Sequence, residues 1–130
     1  MLRIGVDLIE VERVERAMAR HGERFFRRFF TARERAECNG VASKLAARFA
    51  AKEAAAKALG CGIGVVRWID IEIESEANGR PRLILHGAAQ ERAAALGLAL
   101  WEVSLSHTHE HAIAFVTGLA APVAPERPAE

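Results

Sequence analysis

Arg48-Phe49-Ala50-Ala51-Lys52-Glu53-Ala54-Ala55-Ala56-Lys57 is the stretch from which the fold is read. It lies inside a longer run, residues 44–59, where eight of sixteen residues are alanine and none is glycine or proline. Alanine gives up no side-chain entropy in a helix, so the run predicts a long helix. Gly60 is a natural cap for its end. Glu53 and Lys57 stand four residues apart and share a face, with Phe49 one turn earlier on that face. A solvated Glu–Lys pair accounts for such spacing at about 0.3 kcal/mol. The apolar neighbour raises a second reading, in which the charges are partly buried and used.

Toward the N-terminus, residues 2–6 read as a short buried strand that Asp7 ends. Residues 9–20 carry Val11, Val14 and Met18 on one helical stripe and Arg13, Arg16 and Arg20 on another. Gly22 is a plausible stop. Phe25, Phe26, Phe29 and Phe30 read as a core plug. Thr31 and Glu34 form a capping-box pattern opening a short helix to about Cys38, and Asn39-Gly40 reads as a turn.

Toward the C-terminus, Gly60-Cys61-Gly62-Ile63-Gly64 is a glycine-rich loop. Residues 66–74 alternate as a half-buried strand with an irregularity at Trp68-Ile69. Asn78-Gly79 signals a hairpin turn, and residues 82–86 return as its partner. Residues 88–96 form a second alanine-rich helix ended by Gly97. Residues 100–106 and 112–117 are two further strands around His107-Thr108-His109-Glu110-His111. The proline-bearing tail (Pro122, Pro125, Pro128) has no periodicity and is expected to be disordered. The order predicts one α+β domain over residues 1–118, with a mostly antiparallel sheet packed against helices, and a tail over residues 119–130.

Composition sets the outer limits. The chain has 130 residues, which suits one domain with a true core. Hydrophobic residues make up 51%, but 26 of them are alanine, which fills little volume. No run is long enough to span a membrane, and a carboxylate at residue 7 leaves no usable secretory signal. Two cysteines, Cys38 and Cys61, make a poor disulfide framework, so reduced thiols in a cytoplasmic protein are the expectation. Net charge is only +1, yet between Arg13 and Arg35 eight arginines face three glutamates. That local excess suits an acidic partner, protein or nucleic acid, or else a merely solvated helical surface.

Several residues could carry chemistry. Asp7 at a strand end is either a helix N-cap or a metal ligand. With Glu53 it would make a two-carboxylate site of the kind magnesium favours, which leaves room for waters and substrate phosphates. The glycine loop could cradle phosphate through its N–H groups, and a helix cap followed by a loop explains it equally well. His107, His109 and His111 alternate, so on one strand they would share a face and could bind zinc. An exposed or hydrogen-bonded histidine cluster is the favoured reading.

Together these blocks resemble a known family. Ile4-Gly5-Val6-Asp7-Leu8-Ile9-Glu10, Arg48 through Gly60, Asp70-Ile71-Glu72-Ile73, Asn78-Gly79-Arg80-Pro81 and Val103-Ser104-Leu105-Ser106-His107-Thr108 resemble, in order and spacing, the holo-[acyl-carrier-protein] synthases, the small bacterial 4′-phosphopantetheinyl transferases. The resemblance covers about residues 2–118. It implies that the phosphopantetheine arm of coenzyme A passes to a serine of an apo acyl carrier protein, leaving adenosine 3′,5′-bisphosphate, in support of fatty acid biosynthesis. It further implies Mg2+ on Asp7 and Glu53, with Glu53 as a base and Lys57 on the phosphates. For coenzyme A it implies contacts from Arg48 to the 3′-phosphate, from Gly62 and Gly64 along the arm, from Asn78, Arg80 and Pro81 at the adenosine, and from Ser106, His107 and Thr108 at the phosphates. Many relatives carry lysine where this chain has Arg80. Arg13, Arg16 and Arg20, with Ala17 or Met18 as an apolar contact, would receive the acidic carrier. A homotrimer with active sites shared between subunits is implied as well, and it would let so short a chain build a coenzyme site. Two rivals remain, an RNA-binding module using the arginines and a zinc hydrolase using the histidines.

Overall fold

The alanine-rich stretch forms helix α4 (Ala42–Ala58), buried on nearly every side. Its alanines present almost no bulk, so strands approach its backbone closely. At Gly5 a methyl group would lie 1.8 Å from the Ala54 carbonyl oxygen, so only glycine fits there. This approach lays the first strand, β1 (Leu2–Glu10), against α4.

The computed structural model describes residues 1–122. After β1 come α1 (Val11–His21), α2 (Glu23–Phe29), α3 (Ala32–Cys38) and α4. A 3-10 turn (Trp68–Asp70), β2 (Ile71–Ser75), β3 (Pro81–Leu85), α5 (Gly87–Ala95), β4 (Leu98–His107) and β5 (His111–Ala120) follow. Two antiparallel sheets result, one ordered β1-β5-β4 and one a β2-β3 pair. The expected α+β class and antiparallel pairing are therefore present.

The larger sheet packs one face on α4 through Gly5, Ile9, Val103, Ala112, Ala114 and Val116. Its other face is apolar along β1 and most of β5, while β4 carries Glu102, Ser104 and Ser106 there. Leu2, Ile4, Val6, Leu8, Leu100, Ile113, Phe115 and Leu119 are 40–63% exposed there. The open face of an antiparallel sheet is normally polar, and along β1 this one is apolar instead.

Local chemistry explains most boundaries. Thr31 and Glu34 make both bonds of the capping box that opens α3. Asn39, in the left-handed region, closes that helix. Among the described residues no strand lies beside the outer edge of β2. Side chains from α3 and α4 take its backbone groups instead: Glu34 accepts from the Ile73 N–H, Glu37 from the Ser75 N–H, and Lys52 donates to the Ile71 carbonyl.

Several expectations need correction. Asp7 does not end its strand but lies within β1, opposite Ala114, because pairing with β5 carries the strand on to Glu10. Ile9 is thus a buried strand residue, and α1 begins only at Val11. The phenylalanine cluster is itself helical: Phe25 and Phe29, one turn apart, share a face of α2. The irregularity at Trp68-Ile69 is the 3-10 turn, which delays β2 to Ile71. Finally, β5 runs to Ala120, with Leu119 opposite Leu2, two residues into the segment read as tail. Residues 123–130, with Pro125 and Pro128, lie outside the described residues.

Candidate active site

The close contact at Gly5 has a direct chemical consequence. Side chains alternate along β1, so Gly5 and Asp7 face α4 together. The Lys57 ammonium donates to the Val6 carbonyl at 2.9 Å and stands 3.3 Å from Asp7 Oδ1. Glu53, half-buried one turn earlier, shares this face. Burial pushes its carboxyl above the ordinary range, and the Asp7 charge pushes the same way, while Lys57 and Arg13 pull it back. Residues some fifty positions apart thus form one cluster of two carboxylates and an ammonium.

The cluster fits a divalent ion. One carboxylate raises the pKa of the other, so a cation between them relieves the repulsion that the single lysine only partly offsets. Two carboxylates are few for a fully protein-built site but suit magnesium, which keeps waters and takes substrate phosphates.

The expected coenzyme contacts fall in several places. Gly62 and Gly64 have open space where a side chain would stand, and Gly64 has φ 123°. Asn78 Oδ1 accepts from the Arg80 N–H in the β2–β3 turn, and Gly79 has the positive φ that turn needs. Pro81 opens β3. The Arg80 guanidinium pairs with Glu102 on β4 at 2.7 Å. Arg48 is buried, paired with Glu37 at 3.2 Å and donating to Ser75 Oγ, while its Nε has no partner. Ser106 and His107 end β4, and Thr108 closes the turn by accepting from the His111 N–H. Within one chain, His107 and Thr108 do not join Asp7. They line a separate depression of about 570 Å³ with Val11, Glu15 and residues 41–43.

The three histidines do not share a strand. His107 closes β4, His109 lies in the turn and His111 opens β5. Among the described residues no three histidine, cysteine, aspartate or glutamate side chains are grouped to hold a metal.

On the arginine-rich side the structure adds what the sequence reading missed. A cleft of about 370 Å³ opens between α1 and α2, floored by Val14, Phe25, Phe29 and Phe49. Arg13, His21, Arg24 and Arg28 ring it, and Ala17 lines it. Met18 is half-buried against the core, and Arg16 and Arg20 are exposed elsewhere on α1. The Phe25/Phe29 spacing was the available signal for α2, and the Arg24/Arg28 spacing places two of the cations on one face of it.

Comparison with known proteins decides the family. Residues 3–116 match the 4′-phosphopantetheinyl transferase superfamily. The holo-[acyl-carrier-protein] synthase of Herpetosiphon aurantiacus is 52% identical over 126 residues, which cover 92% of this chain and 99% of that one. This chain belongs to the holo-[acyl-carrier-protein] synthase family of phosphopantetheinyl transferases. The family's enzyme from Moorella thermoacetica is 50% identical over 117 residues, covering 88% and 91% of the two chains. Among solved structures of the family, the Helicobacter pylori synthase in complex with coenzyme A superimposes with a TM-score of 0.82. It is 32% identical, with 89% and 99% of the chains covered. The Neisseria meningitidis synthase gives 0.81 at 33% identity, covering 90% and 97%.

Proposed function

We propose that this chain transfers the 4′-phosphopantetheine arm of coenzyme A to a serine hydroxyl of an apo acyl carrier protein, releasing adenosine 3′,5′-bisphosphate. The observation that carries the reading is the meeting of Asp7, Glu53 and Lys57 across the Gly5–Ala54 contact. The serine oxygen forms a bond to the phosphorus that bears the pantetheine arm, and that phosphorus loses its bond to the bridging oxygen of the pyrophosphate. Asp7 and Glu53 would hold Mg2+, which supplies charge neutralisation at the pyrophosphate. Lys57, already aimed at Asp7, adds a positive point charge where the leaving bisphosphate gains negative charge. Glu53, its carboxyl pushed up by burial, takes the serine proton directly or through a water. The transfer asks for positioning and charge more than for covalent help.

The acidic carrier docks on α1 and α2. Arg13, Arg16 and Arg20 steer it, and the Ala17–Met18 surface gives an apolar contact beside them. Arg13 also reaches Glu53 electrostatically, which brings this face up to the carboxylates. A homotrimer completes the site, with Ser106, His107 and Thr108 of one subunit contacting phosphates bound at Asp7 of the next. Two observations support this. His107 stands apart from Asp7 within one chain, and the outer sheet face is an unpartnered apolar surface. Fatty acid synthesis in the cytoplasm is the setting in which the activity belongs. No described helix is long and apolar enough to cross a membrane.

Intact-mass analysis of an apo acyl carrier protein incubated with this chain, coenzyme A and magnesium tests the reading. The expected result is a gain of one phosphopantetheine, lost on chelation. No gain with fatty-acid, polyketide or peptide carriers would overturn it.

A further inference from the structure

Helix α4 works on two sides. Glu53 and Lys57 face Asp7, while Arg48 and Lys52 face β2. Lys52 is wholly buried, one residue before Glu53. Its ammonium lies 2.7 Å from Glu34 Oε1 and donates to the carbonyls of Trp68, at 3.0 Å, and Ile71. Glu34 is equally buried, and its two oxygens also accept the N–H groups of Thr31 and Ile73. Every polar bond of this pair is directed at a named element.

A buried ion pair is weak evidence for stability, because apolar residues of like volume do as well. What it does give is direction, and here the direction has an object. The β2-β3 pair is only two-stranded, and such a pair does not hold itself in place. Its outer edge is taken by charged side chains of α3 and α4 rather than by a strand. The same pair carries the Asn78–Pro81 turn at its tip, and the Trp68–Asp70 turn at its base follows the glycine loop. The Asn78–Pro81 turn and the glycine loop are the segments whose contacts with coenzyme A the family resemblance implies.

We propose that Lys52 is a positioning residue for coenzyme A: clamped between Glu34 and the carbonyls of Trp68 and Ile71, it holds the nucleotide-facing hairpin in register with the helix that presents Glu53. The proposal rests on the transferase reading of the preceding subsection. It assigns Lys52 no contact with substrate. Its action is through β2 and the turn at Trp68.

The test is a double variant, Lys52→Met with Glu34→Gln, which removes both charges and leaves neither one buried alone. Lys52→Met by itself strands the Glu34 carboxylate and serves as a folding control. The double variant is expected to melt cooperatively near the wild-type temperature. Its KM for coenzyme A rises on the order of tenfold, as a displaced binding segment implies. Its KM for the carrier protein, which docks on α1 and α2, changes by less than about twofold, since distant sites act independently. A folded double variant with wild-type KM for coenzyme A overturns the proposal, as does an equal rise in both KM values. A wild-type chain that transfers nothing defeats the transferase reading instead, so the two failures are distinguishable.

Discussion

Gly5 and Glu53 hold the site together from opposite sides. The missing side chain at Gly5 allows the contact that brings Asp7 to Glu53 and Lys57. Gly5→Ala would press a methyl into the Ala54 carbonyl and cost on the order of 3 kcal/mol or more, since backbone cannot yield as a rotamer can. The expected outcome is a clear drop in melting temperature, with transfer lost in whatever remains folded. Glu53→Gln keeps the volume and removes the charge. It should leave the melt unchanged and lower kcat by roughly 10²–10⁴-fold, the range for a lost general base. A variant with undiminished turnover would rule out Glu53 as ligand and base alike.

At the scale of elements, α1 and α3 make separable predictions. Arg16→Glu with Arg20→Glu reverses charge on the side of α1 proposed to receive the carrier while Val11 and Val14 stay in the core. KM for the carrier should rise at least tenfold and coenzyme A binding should hold. In the wild type, raising salt should raise KM for the carrier, because exposed charges are screened beyond about 10 Å at 0.1 M salt. Helix α3 depends on Thr31 twice over, through its cap on Glu34 and through a 2.6 Å bond to Glu72. Burial works to raise the Glu72 carboxyl, but the bonds from Thr31 and His86 outweigh it and hold the group below its ordinary value. A carboxyl held low binds its proton more weakly folded than unfolded. It therefore stabilises the fold above the unfolded value near 4.5, and this stabilisation fades as pH falls through the folded value. Melting temperature should decline more steeply below about pH 5 in the wild type than in Thr31→Val.

For the whole molecule, the outer face of the β1-β5-β4 sheet is the dominant feature. A patch of leucine, isoleucine, valine and phenylalanine side chains spread over three strands is larger than scattered exposure explains. If three such faces meet at a trimer centre, Ile4→Asp with Phe115→Asp should give a monomer by size-exclusion chromatography with light scattering. Transfer should fall with it, because His107 of one subunit would no longer reach Asp7 of another. A monomeric variant with full activity would separate catalysis from assembly and refute the shared site.

Local signals settled local matters. Alanine content with a glycine stop predicted α4, the Thr31/Glu34 spacing predicted the cap that opens α3, and Asn78-Gly79 predicted the β2–β3 turn, because each rests on chemistry within a few residues. The ordered blocks from Ile4 to Thr108 marked the family, and Glu53 with Lys57 marked one face of a helix. Other features depend on residues far apart in the chain. Pairing with β5 carried Asp7 into the middle of its strand, and close packing at Gly5 set it beside Lys57. Burial made an ion pair of Lys52 and Glu34, although local sequence signals assign Glu34 only a capping role and Lys52 none. Along β1 the face that meets α4 carries Arg3, Gly5, Asp7 and Ile9 and the face left bare carries Leu2, Ile4, Val6 and Leu8, so hydropathy alone would turn the strand the wrong way round. Only the packed sheet, with one side against the alanines of α4 and the other open, decides between them.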